Sequence, residues 1–367
     1  MNDDKKEILF SKAMLPPLDD FYNQLRDIWK TGWLATFGPK HEIFETMLKE
    51  RLNSENLLVF VNGHTALESA IGCIGKSGEI ITTPYTFIST ANAIYRNGFK
   101  PVFCDVNHNM TLDVKSAENL ITDKTVAIVA THVLGNPCEV EHLEKIGKKH
   151  NLKIIYDGAH VFGVKYKGRC ISEYGDATMY SFHASKVFNS AEGGAVVFND
   201  KEIGNALQKF RYFGMEKGQT TIPGLNGKMN EITAALGICN LNILDNIIAV
   251  RKKLYNRYVT NLRETAGIYL RVPDEDIEYN YIYFYIQVDE KEYGMSATEL
   301  LEVLQDKGIH AKKSFPMLIS DMELYKDCTR GNLDNSRRFL KEIIVLPLHP
   351  ELQEIDVDYI CTLINDR

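Results

Sequence analysis

Two residues define the chemistry to look for. Asp157 closes the apolar run KIIYD, and Lys186 follows the run TMYSF, 29 positions further on. If both runs are strands of one sheet, the side chains just beyond them share a crevice edge, where open α/β sheets bind ligands. A strong acid and an amine at such an edge suit pyridoxal phosphate. The amine holds the aldehyde as a Schiff base, and the carboxylate keeps the pyridine nitrogen protonated so that the ring accepts electrons. Ser181, a small hydroxyl at the end of the second run, suits a phosphate oxygen. From spacing alone, a solvated ion pair near loops is the simpler account of Asp157 and Lys186.

The elements that must carry these residues show as a pattern. Runs rich in Val, Ile and Phe alternate with helical periods from Leu57 to Phe198: LLVFV, EIITT, PVFCDV, VAIVATHV, KIIYD, TMYSF and GAVVF. Alternating βαβ units imply a mainly parallel sheet covered on both faces. One long helical stretch then runs from Asn230 to about Glu264, with Gly237 as its only punctuation. Beyond it, strand-like IYLRV and YIYFYIQV, a helix at ATELLEVLQDKG, strand-like IHAKK and a helical region from Asn335 to Ile343 are α+β in character. The expected fold class is α/β, with a large domain over residues 1–245 and a smaller α+β C-terminal domain over residues 246–367.

Composition narrows the function classes. The 367 residues are 44% hydrophobic and 25% charged, ordinary for a globular chain with ample core. No stretch is apolar and charge-free for the ~20 residues of a membrane helix, so no membrane partner is expected. Lys+Arg 42 against Asp+Glu 49 leaves a net charge of −7. Bulk charge of that sign does not attract a phosphate backbone, and nucleic acid is not an expected partner. The seven cysteines are widely spaced and never CxxC, so they read as small buried thiols, with neither a disulfide framework nor a metal site. The start, MNDDKKEILFSKAM, is too charged for a signal peptide, and a cytoplasmic location is expected.

AIGCIGKS, Ala70 to Ser77, satisfies the loose phosphate-loop pattern. Such a loop should follow a strand and open a helix, whose N-terminal amides hold the phosphates. Here a helical period precedes it and a strand follows, so Gly75 and Gly78 read as a helix stop. There is no GxGxxG.

Set together, NGHTAL, PYTFISTANAI, KPVFCDV, THVLGNPCEVEHL, YDGAH, SFHASKVFNSAEGGAVV and GLNGKMNEITAALG resemble the DegT/DnrJ/StrS family of sugar-nucleotide aminotransferases. The resemblance runs from about Leu15 to the C-terminus and implies the type I pyridoxal-phosphate-dependent aminotransferase fold. LPPLDDF, YDGAHVFGVKYKGR and SFHASKVFN are most similar to the dTDP-4-amino-4,6-dideoxy-D-glucose transaminases of that family.

The resemblance assigns residues one at a time. Lys186 matches the Schiff-base lysine and is the expected catalytic residue. Relatives with histidine in its place are 3-dehydratases, but His183 stands three positions earlier and reads as a structural neighbour. Asp157 matches the partner of the pyridine nitrogen. His160 takes the place of a Gln or His beside the cofactor's phenolic oxygen; a packed histidine bonded to backbone is the plain alternative. YDGAH departs from the commoner DAAQ at Gly158 and His160. Gly63 and His64 fall where Gly-Thr binds phosphate through backbone amides at a helix start. Phe87 aligns with the aromatic that stacks on the pyridine ring, with a core position as its alternative. Asn226 resembles an asparagine that reaches the phosphate from a neighbouring subunit; in isolation it would be an ordinary turn residue.

The resemblance therefore implies a pyridoxal-phosphate enzyme, a homodimer with shared sites, L-glutamate as amino donor and a dTDP-linked keto sugar as acceptor. The expected acceptor is dTDP-4-dehydro-6-deoxy-D-glucose, aminated at C4 for surface polysaccharide such as O-antigen. A 3-keto or UDP-linked sugar transaminase, a pyridoxal-phosphate-dependent dehydratase and a non-catalytic cofactor-binding regulator are the alternatives.

Overall fold

The computed structural model describes residues 7–75 and 77–366. The first six residues of the charged segment MNDDKKEILFSKAM and Lys76 of the phosphate-loop pattern lie outside the described residues.

All seven expected runs form one sheet. In chain order they are β1 (Leu57–Phe60), β2 (Glu79–Thr82), β3 (Lys100–Phe103), β4 (Thr125–Thr131), β5 (Lys153–Asp157), β6 (Ala177–Ser181) and β7 (Gly194–Phe198). Their spatial order is β1-β7-β6-β5-β4-β2-β3. β3, β2, β4, β5 and β6 pair in parallel, while β7 is antiparallel to both neighbours. The sheet is therefore mixed but mainly parallel. Its strands are nearly all buried along their length, as continuous apolar runs covered on both faces require. Because β5 and β6 are parallel neighbours, their C-terminal ends lie side by side, which places Asp157 and Ser181 on one edge.

The phosphate-loop pattern takes the reversed order. Helix Gly63–Gly72 precedes it and β2 follows, with Gly75 in the left-handed region at φ 68°.

The long helix spans Glu231–Leu262 without a break, and residue 245 lies within it. It packs on helices Leu18–Thr31, Pro39–Arg51 and Glu354–Asn365. By length and composition alone it could cross a membrane; the charge of Asp245 interrupts its apolar stretch, and Arg51 pairs with that carboxylate at 2.6 Å. Beyond it comes a four-stranded antiparallel sheet in the order Ile268–Leu270, Phe284–Val288, Ile343–Leu346, Lys312–Lys313. Helices Ala297–Asp306, Asp334–Glu342 and Glu354–Asn365 accompany it. Strand Ile343–Leu346 and the last helix were not expected from sequence. All seven cysteines are free thiols, six of them buried and Cys73 only half-buried.

Candidate active site

The site begins at the end of β5. Asp157 is 3% exposed. Its Oδ2 accepts a 2.8 Å hydrogen bond from the Thr90 hydroxyl, and its Oδ1 accepts one of 3.1 Å from the Ala159 amide. Among the described residues no cationic side chain comes within ion-pair distance of it. Burial pushes its carboxyl above the ordinary aspartate range; the Thr90 and Ala159 bonds and the nearby Lys186 charge oppose this. The solvated ion pair is thereby excluded. What the fold holds instead is a buried carboxylate, braced by two donors and lacking a cation.

Lys186 sits in the turn after β6, where its amide donates to the His183 carbonyl at 2.9 Å. Desolvation lowers its ammonium to about 8, with Asp157 acting in the opposite direction. His183 shapes the same turn, its Nδ1 accepting from the Ser185 amide at 3.2 Å, as a structural neighbour would.

A helix start supplies the anion end. Asn62 caps helix Gly63–Gly72 by accepting from the Thr65 amide at 2.8 Å, so the Gly63 and His64 amides remain directed out of the helix N-terminus. A Cβ on Gly63 would stand 2.7 Å from the Ser181 Cβ. Only glycine lets the helix start press against Ser181, and the two residues form one cradle. The His64 ring turns to its own chain, Nδ1 pairing with the Ser89 hydroxyl at 2.7 Å and Nε2 lying 3.6 Å from Glu68.

Phe87 is 64% exposed at the N-cap of helix Ile88–Arg96, which rules out a core position. The same helix presents Ser89 to His64 and Thr90 to Asp157, so Phe87 stands at the start of the helix that makes both contacts. His160 is both packed and bonded to backbone: its Nδ1 accepts from the Leu134 amide at 3.2 Å, and its ring meets Tyr283 edge-on at 5.2 Å. Burial, then the Lys186 charge, holds it well below its ordinary pKa. A neutral ring that accepts at Nδ1 carries its proton on Nε2.

Asn226 does not join this cluster. It is exposed, bridged to Tyr212, and its side-chain oxygen accepts from Lys228. Thr90 was missed by the sequence reading, although it lies in the PYTFISTANAI block three positions after Phe87. It continues into a buried hydroxyl chain, Thr90 to Thr86 and Thr86 to Thr131, each at 3.1 Å.

A buried uncompensated carboxylate, an amine of lowered pKa, a glycine cradle with helix-start amides and an exposed aromatic fit a planar cationic ring bearing a phosphate and an aldehyde. The comparisons with known proteins agree with that chemistry. The DegT/DnrJ/EryC1/StrS aminotransferase family model matches residues 18–365. Two dTDP-4-amino-4,6-dideoxy-D-glucose transaminases are each 36% identical to the chain. The one from Shigella dysenteriae matches over 99% of both chains, and the one from Escherichia coli over 96% of both. The structure of DesI with its TDP-sugar product superposes with a TM-score of 0.94 at 27% identity, covering 99% of this chain and 93% of that one. The fold is the type I aminotransferase fold, the cofactor is pyridoxal phosphate, and the chain belongs to the DegT/DnrJ/EryC1/StrS family as a sugar aminotransferase.

Proposed function

We propose that this enzyme transfers the amino group of L-glutamate to C4 of dTDP-4-dehydro-6-deoxy-D-glucose, giving dTDP-4-amino-4,6-dideoxy-D-glucose for a surface polysaccharide such as O-antigen. The observation that carries the reading is Asp157, buried at the strand end near Lys186 and, among the described residues, not in an ion pair. It stands in a chain 36% identical over nearly its whole length to two transaminases of that name.

Pyridoxal phosphate, when bound, supplies the electron sink. The chain's own residues do the rest. Asp157, fixed by Thr90 and Ala159, would pair with the pyridine nitrogen and keep it protonated. The Gly63 and His64 amides and Ser181 would hold the phosphate, and Phe87 would cover the ring. His160, accepting at Nδ1 from Leu134, would offer its Nε2 proton to the phenolic oxygen. Lys186 is the residue that would hold the aldehyde carbon, and its free amine would carry the donor's α-proton. Its lowered pKa leaves a useful fraction of free amine near neutral pH.

The working unit in this reading is a cytoplasmic homodimer, off the membrane, with a cofactor domain over residues 1–245 and a smaller one over 246–367. Exposed Leu18, Tyr22, Trp29, Trp33 and Leu34 supply an apolar face suited to a second copy. Exposed Asn226, on exchanging its Lys228 contact, would then reach the partner's phosphate. Mass analysis of products from a panel of dTDP- and UDP-linked keto sugars with L-glutamate tests the substrate. Preference for a 3-keto or UDP-linked sugar would move the assignment within the family.

A further inference from the structure

The segment 279–283 lies ahead of strand Phe284–Val288 of the C-terminal sheet, more than a hundred positions beyond His160, yet three of its residues bear on the His160 loop. The buried Tyr279 hydroxyl donates to the Leu134 carbonyl at 2.7 Å. The amide of the same Leu134 donates to His160 Nδ1 at 3.2 Å. Leu134 adopts φ 54°, the left-handed region that a branched side chain rarely occupies. Both its polar groups are thus tied, one to Tyr279 and one to His160. Gly135, at φ 90°, is shaped to the same hydroxyl: a Cβ there would stand 2.5 Å from the Tyr279 oxygen.

Asn280, 1% exposed, donates to the His160 carbonyl at 3.0 Å and to the Phe162 carbonyl at 3.1 Å. Tyr283 supplies the edge-on ring contact with His160. The segment is itself anchored through the left-handed Tyr281. Buried Arg251, on the long helix, donates to the Tyr281, Ile282 and Leu348 carbonyls at 3.4, 3.3 and 2.9 Å.

We propose that Tyr279 is a positioning residue which, through the Leu134 peptide, holds His160 as the Nε2–H tautomer that faces the cofactor. The role of that proton toward the cofactor rests on the function proposed above; the tautomer and its dependence on Tyr279 do not. An unbraced Leu134 would relax from its left-handed geometry and withdraw the amide from Nδ1. The proton could then reside on either nitrogen.

The test is side-chain 15N NMR of the full-length protein labelled at histidine, without cofactor, with the His160 signal identified by its loss in His160→Gln. The wild type should show neutral His160 protonated at Nε2 alone from pH 6 to 8. Tyr279→Phe, which keeps the ring and removes the hydroxyl, should lose that single pattern. Gly135→Ala, which drives a methyl onto the same hydroxyl, should lose it too and serves if Tyr279→Phe does not fold. Tyr255→Phe should leave the pattern intact, since the Tyr255 hydroxyl is spent on the Arg271 carbonyl. An Nδ1–H form in the wild type, or an unchanged pattern in either altered protein, overturns the proposal. An enzyme with the expected tautomer but no transamination would count against the function and leave the proposal standing.

Discussion

Thr90 and Asp157 are joined by a 2.8 Å hydrogen bond that ties helix Ile88–Arg96 to the C-terminal end of β5. The bond favours the charged form of a carboxyl whose burial disfavours that form. Asp157→Asn keeps the size and removes the charge, so transamination should fall by several orders of magnitude with the fold intact by circular dichroism. Thr90→Val should act in the same direction but less. A hydrogen bond to a charged group is worth about 1.5–3 kcal/mol, so cofactor affinity by equilibrium dialysis should weaken about tenfold or more. Near wild-type turnover in Asp157→Asn would give the carboxylate another job.

Lys186 should be the residue modified when the cofactor-loaded protein is treated with borohydride. Peptide mapping that located the label on Lys165 or Lys228 would overturn the assignment. The amine titrates at about 8 in the cofactor-free protein because burial disfavours its charge. Below that pH it is protonated and unreactive; above it, it is the free nucleophile. The rate of cofactor attachment should therefore rise with pH and level off just above 8, whereas an ordinary exposed lysine would keep rising to about 10.4. A stopped-flow absorbance profile that continues to climb past pH 9 contradicts this.

How far the sequence could be read follows from where each signal lies. The seven strands of the large sheet stand out because each is buried on both faces and so is apolar without alternation. The reversed direction of β7 does not, because the pairing of Gly194–Phe198 with β1 and β6 leaves no mark on its composition. Strand Ile343–Leu346 follows helix Asp334–Glu342 with no turn residue between them, so its apolar run merges with the helical period. Asp157 and Ser181 lie at strand ends and Lys186 in the turn that follows one, which local pattern locates; Gly63, at a helix start, comes from the family resemblance. Thr90 needed knowledge of which helix leans on β5. Tyr279 is 145 positions from Leu134, and no periodicity links the two.

Assembly has its own test. If Asn226 caps the phosphate across a two-fold interface, each site takes its lysine from one chain and its asparagine from the other. Asn226→Asp and Lys186→Ala should each be weak or dead alone, the first because a carboxylate repels phosphate. In the mixed dimer one site carries both lesions and the other is intact, so activity should return to a fraction of wild type. No recovery after subunit exchange, verified by native mass spectrometry, would mean that Asn226 serves its own chain or no site.

The most direct measurement is nitrogen transfer. The pyridoxal-phosphate-loaded enzyme, given L-[15N]glutamate and dTDP-4-dehydro-6-deoxy-D-glucose, should yield 2-oxoglutarate and a dTDP-sugar whose 15N is bonded to C4 by NMR. A sugar without label, a label on another carbon, or a dehydrated product in its place would contradict the account.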